Sequence, residues 1–196
     1  MGSIIAHCNL GLALYRLKDF QKAVQAFKKA IELNPNFVNA YSSLGLAFYE
    51  QRDYPNAEKI FLKALELNPG IVQAHSNLGI VYLAQKDYAK AAQSFQKAIQ
   101  LSPDYAGAHF NLGLIHQAQK DYAKAVQSFQ KVIALSPGYA NAHYNLGETY
   151  VQLKEYQRGL QEFETALKLS SNNLFFSHRI DSLRRLITSG SLKIKK

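Results

Sequence analysis

Five glycines stand 34 residues apart, Gly11, Gly45, Gly79, Gly113 and Gly147, and much of the remaining sequence keeps step with them. Phe27, Phe61, Phe95, Phe129 and Phe163 recur at the same interval, as do Phe20, Tyr54, Tyr88, Tyr122 and Tyr156. Leu10, Leu44, Leu78, Leu112 and Leu146 form a third series, and Pro35, Pro69, Pro103 and Pro137 a fourth. A period of this length, held through five copies, restricts the chain to a stack of near-identical supersecondary units. Each unit buries its apolar face only against its neighbours, so a single non-repeating core is excluded.

The contents of one unit follow from its spacing. Between residues 72 and 105, Ala74, Leu78 and Tyr82 recur every four residues, and Tyr88, Ala91, Ala92, Phe95, Ala98 and Ile99 mark a second stripe. Both are helical periods. Gln-Lys-Asp or a similar short turn separates the two, and Asn-Pro or Ser-Pro stops the second helix and starts the next unit. Gly79 has no side chain and Ala91 only a methyl, so the paired helices are expected to approach closely while Phe95 fills the space beside them.

The run His75-Ser76-Asn77-Leu78-Gly79-Ile80-Val81-Tyr82, followed by Tyr88, Ala91, Phe95, Ala98 and Pro103, resembles the tetratricopeptide repeat. Units are expected at 4–37, 38–71, 72–105, 106–139 and 140–173. The departures are His in place of the usual Trp in four units, His116 in place of Tyr, and Gly159 and Ser171 in place of Ala and Pro. The resemblance implies an all-α fold, a right-handed superhelix of helix-turn-helix repeats. Residues 1–3 read as vector sequence. Residues 174–189 read as a capping helix, because Asp181 replaces the glycine of a sixth unit. Phe176, Ile180, Leu183 and Ile187 give this helix an apolar stripe, and Arg179, Ser182, Arg184 and Arg185 a wet face. A basic tail follows at 190–196. At the other end Ile4, Ile5 and Leu12 lie on an uncovered edge, which is expected to mark either a fragment or a surface for docking or self-association.

Composition narrows the function classes. With 47% hydrophobic and 19% charged residues the chain can build its own core. No apolar stretch reaches the roughly 20 residues of a membrane span. Cys8 is the only cysteine, which excludes an internal disulfide. No secretory leader is visible, so the cytoplasm is the default expectation. The net charge of +9 suggests a polyanion until its distribution is read. From Leu174 onward six basic residues face only Asp181, and most other lysines recur on turns and second helices, as Lys18, Lys86, Lys120 and Lys154 and as Lys22, Lys90 and Lys124. They read as a solvated outer face, and nucleic acid is not the expected partner.

In the resembled family the first helices line a concave groove, which identifies the positions to read chemically. Asn9, Asn77, Asn111 and Asn145 form a ladder broken by Ser43, and a carboxamide both donates to and accepts from a peptide backbone. Beside it run Leu12, Leu46, Ile80 and Leu114, ending in Glu148, with Tyr15, Tyr49, Leu83, Phe110 and Tyr144 nearby. The groove therefore suits an uncharged amphipathic peptide. The basic clamp by which co-chaperones of this family grip acidic tails is replaced here by Cys8, Leu12, Ser43, Gln73 and Asn77, and an acidic ligand would lack charged partners.

Histidines His7, His75, His109 and His143 share the period, but equivalent side chains on stacked helices run parallel and do not converge on one ion. They are expected to pack between the helices of a unit. His109 and His116 lie too far apart to share an ion, and Cys8 has no activating base. Glu32, Glu66, Glu162 and Glu164 read as surface charge or salt bridges. No phosphate-binding loop, metalloprotease motif or nucleophile elbow occurs. The chain is thus expected to be a non-catalytic scaffold with no metal or cofactor, binding a protein or peptide. Two alternatives stay open: a substrate-recognition segment of a larger enzyme such as an O-linked N-acetylglucosamine transferase, and an adaptor using the basic tail on a membrane surface or RNA.

Overall fold

The computed structural model describes residues 2–170 and 173–189. The expected basic tail at 190–196, Met1 and Ser171 lie outside the described residues. The described residues form helices and no strands, in two units divided after Pro103.

The first unit contains α1 (Gly2–Arg16), α2 (Phe20–Leu33), α3 (Val38–Glu50), α4 (Tyr54–Leu67), α5 (Val72–Ala84) and α6 (Tyr88–Leu101). Within it α1 packs on α2, α3 on α4 and α5 on α6 as hairpins, and α2 and α4 also cover the helices that follow them. The second unit contains α7 (Ala106–Ala118), α8 (Tyr122–Leu135), α9 (Ala140–Gln152), α10 (Tyr156–Leu169) and α11 (Leu174–Thr188), with the hairpins α7–α8 and α9–α10 and with α11 against α10.

All five hairpin turns share one backbone conformation, and the first four also share a side-chain cap. Lys18, Arg52, Lys86, Lys120 and Lys154 adopt φ between 60° and 64°, the left-handed conformation that reverses the chain after a helix. An acid follows at once. The carboxylates of Asp19, Asp53, Asp87 and Asp121 accept from the backbone N–H three residues on, capping the second helix. Lys22, Lys90 and Lys124 then pair with those same aspartates. The lysines expected on an outer face are exposed, and these three are ion-paired there as well.

The core repeats with the sequence. Phe27, Phe61, Phe95, Phe129 and Phe163 are at most 1% exposed, and Ala23, Ala57, Ala91 and Ala125 are fully buried. A Cβ placed on Gly79 would stand 2.8 Å from the Phe95 ring, and the other four glycines of the series face their own phenylalanine at 2.5–2.7 Å. Each ring occupies the volume that a side chain on the facing helix would need. Gly79→Ala is therefore expected to cost about 1–3 kcal/mol by overpacking, read as a shift in denaturant midpoint at unchanged slope. At Gly159 of the fifth hairpin a Cβ would lie 3.0 Å from the Gly147 carbonyl oxygen, so glycine there admits a closer approach than the alanine of the other hairpins.

Leu44, Leu78, Leu112 and Leu146 are 1–8% exposed, whereas Leu10 in α1 is 51% exposed. Ile5 at 54% and Leu17 at 78% extend this open edge. At the other end Phe176, Ile180 and Leu183 are buried, with Ile180 and Leu183 clustered on Phe163 and Ile187 packed against them. One expectation for α11 needs correction. Arg179 is not on the wet face but turns back to form a two-pronged ion pair with Glu148 of α9, because the helix lies over α9 and α10.

Candidate functional site

In the first unit the first-helix residues leave a partly open surface between α1 and α3. Asn9 is exposed, Leu12 is 42% exposed and Leu46 is half-buried. A cavity of about 200 Å³ opens here, with Ile5, Leu12 and Phe37 on its apolar side and Asn9, Asn39 and Ser43 on its polar side, and Cys8 on its wall. Burial pushes the Cys8 thiol up from its ordinary value. Tyr15 donates its hydroxyl to Glu50 at 3.1 Å and meets Phe20 edge-on, while Tyr49 tilts against Tyr54. Burial first, and then the Glu50 charge, push the Tyr15 hydroxyl up to about 12, so it stays a donor. On α5, Asn77 is only 6% exposed, its Oδ1 facing the Gln73 amide at 3.4 Å, and Ile80 and Leu83 are half-buried.

The second unit orients its asparagines more tightly. Asn111 Nδ2 donates to the Gly107 carbonyl and Asn145 Nδ2 to the Asn141 carbonyl, both at 2.8 Å and both one turn back along the helix. Each amide keeps a second N–H and its own oxygen. The Asn145 carbonyl in turn accepts from Gln117 Nε2 at 3.0 Å, and the same nitrogen reaches Thr149 Oγ1 at 2.8 Å, tying α7 to α9. Gln117 was not among the expected site residues, although it stands in the same 34-residue register as Tyr15, Tyr49 and Leu83.

The two aromatic residues that the second unit was expected to place beside the groove, Phe110 and Tyr144, are engaged in packing. Phe110 meets Phe129 and Tyr139 edge-on at 5.7 and 5.2 Å, and Leu114 packs against the same cluster. Tyr144 stacks flat on Phe176 at 4.8 Å and touches Phe163 and Phe175. Its hydroxyl donates to Glu148 at 3.0 Å. Glu148, where the apolar row ends, is thus held by Tyr144 and by Arg179 together, and burial with this neighbouring charge drives the Tyr144 hydroxyl upward.

Two of the periodic histidines tie their hairpin to the loop before it. His75 Nε2 lies 2.9 Å from the Pro69 carbonyl, and His143 Nε2 lies 3.3 Å from that of Pro137. His143 Nδ1 also meets Glu162 at 2.7 Å, so this carboxylate is a positioning partner of the ring and not a free surface charge. Glu32, Glu66 and Glu164 are ion-paired with Lys29, Lys63 and Arg184. Among the described residues no three His, Cys, Asp or Glu side chains gather as a metal group would require, and no described helix is long and apolar enough to cross a membrane.

A family model described as tetratricopeptide repeat matches residues 42–106 and, in a second register, 77–140. Two further models of the same description match 4–37 and 116–173. No curated protein sequence matches the chain. Among solved structures, the crystal structure of MamA is 25% identical, covers 84% of this chain and 96% of its own, and superposes with a TM-score of 0.76. PilF of Pseudomonas aeruginosa is 22% identical over 97% of this chain and 88% of its own, with a TM-score of 0.83. YrrB, reported as a TPR protein with an unusual peptide-binding site, is 23% identical over 89% of this chain and 90% of its own, with a TM-score of 0.72.

Proposed function

Because the chain belongs to the tetratricopeptide repeat family, we propose that it is a non-catalytic protein-interaction scaffold. Its first-helix surface binds an extended peptide or partner helix, with asparagines contacting the ligand backbone. The observation that carries this reading is the matched pair Asn111 and Asn145, each anchored to the carbonyl one turn back and each keeping a donor and an acceptor for a ligand. Peptide backbones present that combination at every residue, so recognition tolerates sequence. A neighbour in the same fold, YrrB, is reported with a peptide-binding site, which supports the class of ligand. Leu12, Leu46, Ile80 and Leu114 supply apolar contacts beside the amides and carry no charge, favouring uncharged amphipathic segments over acidic tails.

The test uses nonamer peptides selected on the wild-type protein from a random display library. Asn111→Ala and Asn145→Ala are each expected to weaken binding about 2- to 12-fold, the equivalent of about 0.5–1.5 kcal/mol per net hydrogen bond. Helicity by circular dichroism should be unchanged. Asn77→Ala should have a smaller effect, because that side chain is nearly buried and turned to Gln73. Failure to select any peptide, or unchanged affinity in the Asn111→Ala, Asn145→Ala double variant, rejects the reading.

A further inference from the structure

The asparagine series is broken once, at Ser43, and the cavity between α1 and α3 opens at that position. The coincidence has a steric basis: serine ends at its hydroxyl, two heavy atoms short of asparagine, so the rung that would carry a carboxamide leaves space between the two helices. The cavity's composition is also particular. Ile5, Leu12 and Phe37 give it an apolar side, Asn9, Asn39 and Ser43 a hydrogen-bonding side, and no charged residue lines it. Its volume of about 200 Å³ exceeds the roughly 150 Å³ engineered cavity that holds a benzene molecule. A single branched aliphatic side chain fits, and a charged one would meet no opposite charge on the lining.

We propose that this cavity is a specificity pocket that takes one uncharged aliphatic side chain of the bound ligand, and that Ser43 creates it by interrupting the asparagine ladder. The proposal rests on the groove reading above and adds to it the one place where ligand sequence matters. Asn9 and Asn39 flank the pocket with amides that bond the peptide units on either side of the inserted residue, while Ile5, Leu12 and Phe37 line one side of the space its side chain enters. Within the first unit the amides of Asn9 and Asn39 then hold the backbone, and this pocket sets register: a peptide slides along them until an aliphatic residue drops in.

Cys8, the only cysteine of the chain, stands on the pocket wall and gives a direct probe that does not require the natural ligand. Small disulfides carrying an isobutyl, a carboxymethyl or an aminoethyl group are equilibrated with the full chain under partial reduction by 2-mercaptoethanol, and the adduct at Cys8 is quantified by intact mass. Thiol–disulfide exchange forms the mixed disulfide and releases the other half of the reagent as a thiol, so capture at equilibrium reports fragment affinity. The isobutyl group should be captured about tenfold or more over either charged group, consistent with burial of a branched aliphatic group. Ser43→Asn should fill the space and bring the three groups to equal capture, with the melting temperature held or raised. Ser43→Ala should retain the selectivity. Equal capture of charged and aliphatic groups by the wild type overturns the pocket, as does selectivity that survives Ser43→Asn.

The peptide experiment separates this inference from the groove reading. Nonamers that bind the wild type but lose less than twofold when each aliphatic residue is replaced by alanine would leave the groove standing and remove the pocket. Nonamers with one aliphatic residue whose replacement costs about 10- to 100-fold in the wild type, and nothing in Ser43→Asn, would establish it.

Discussion

Phe95→Ala is expected to destabilise the protein by about 3–5 kcal/mol, the combined loss of transferred apolar surface and of the contacts that lined the ring. The residue is fully buried, and the ring stands against the bare backbone of Gly79, so no side chain on α5 can move in to refill the space. That stiffness places the expectation at the upper part of the range for large-to-small changes. Denaturant unfolding at several wavelengths measures it. Since repeats couple chiefly to their neighbours, the loss should be concentrated in amide exchange of α5 and α6. A loss under about 1 kcal/mol would mean that the ring is not the spacer of its hairpin. Phe95→Leu, keeping more of the volume, should recover part of the loss.

Leu183→Ala is expected to cost about 2–5 kcal/mol and to loosen α11 selectively. Leu183 is fully buried and shares a cluster with Phe163 and Ile180, and this contact closes the apolar side of the last hairpin. The ion pair of Arg179 with Glu148 cannot hold the helix alone. Both side chains keep more than a fifth of their area exposed, and pairs of this kind are worth about 0–1 kcal/mol. Amide exchange confined to α11, with sedimentation to follow any association through the uncovered Phe163 and Tyr144 face, measures the effect. Full protection of α11 in the variant would show that the helix is held by something other than this cluster.

Much of the hairpin architecture was legible because its constraints are local and repeated. The Gly79–Phe95 complementarity, the lysine-aspartate turn and the proline stops each recur at a fixed offset, so five copies of weak evidence reinforce one another. The stripe Phe176, Ile180, Leu183 and Ile187 was readable for the same reason, being a single helical face. What escaped the sequence depends on placement between elements. Arg179 falls on the wet face because it lies off the apolar stripe of its helix, and its partner Glu148 lies 31 residues earlier, within reach only once α11 is docked beside α9 and α10. Phe110 and Tyr144 sit in the groove register, yet large rings beside Tyr139 and Phe176 gain more from packing than from exposure. The sequence shows that the asparagines can donate and accept but not how their own helix orients them. A helix provides a carbonyl one turn back, and Asn111 and Asn145 spend one donor there. The break at Ser43 was visible, but the space it opens was not, since a cavity depends on Phe37 and Asn39 arriving from the next hairpin.

The five hairpin turns carry a thermodynamic consequence. Lys18, Arg52, Lys86, Lys120 and Lys154 hold a left-handed backbone without being glycine. An L-residue there gives up roughly 1–2 kcal/mol relative to the right-handed form. The same side chain narrows the unfolded ensemble, which restores about 0.4–1 kcal/mol relative to glycine. The offset recovers only about half of the cost, but both effects are shared by all unbranched L-residues, so the reversal of the chain at each turn is close to neutral toward which of them occupies it. Net charge at these exposed corners can therefore drift through mutation over generations while the hairpins beneath keep their geometry.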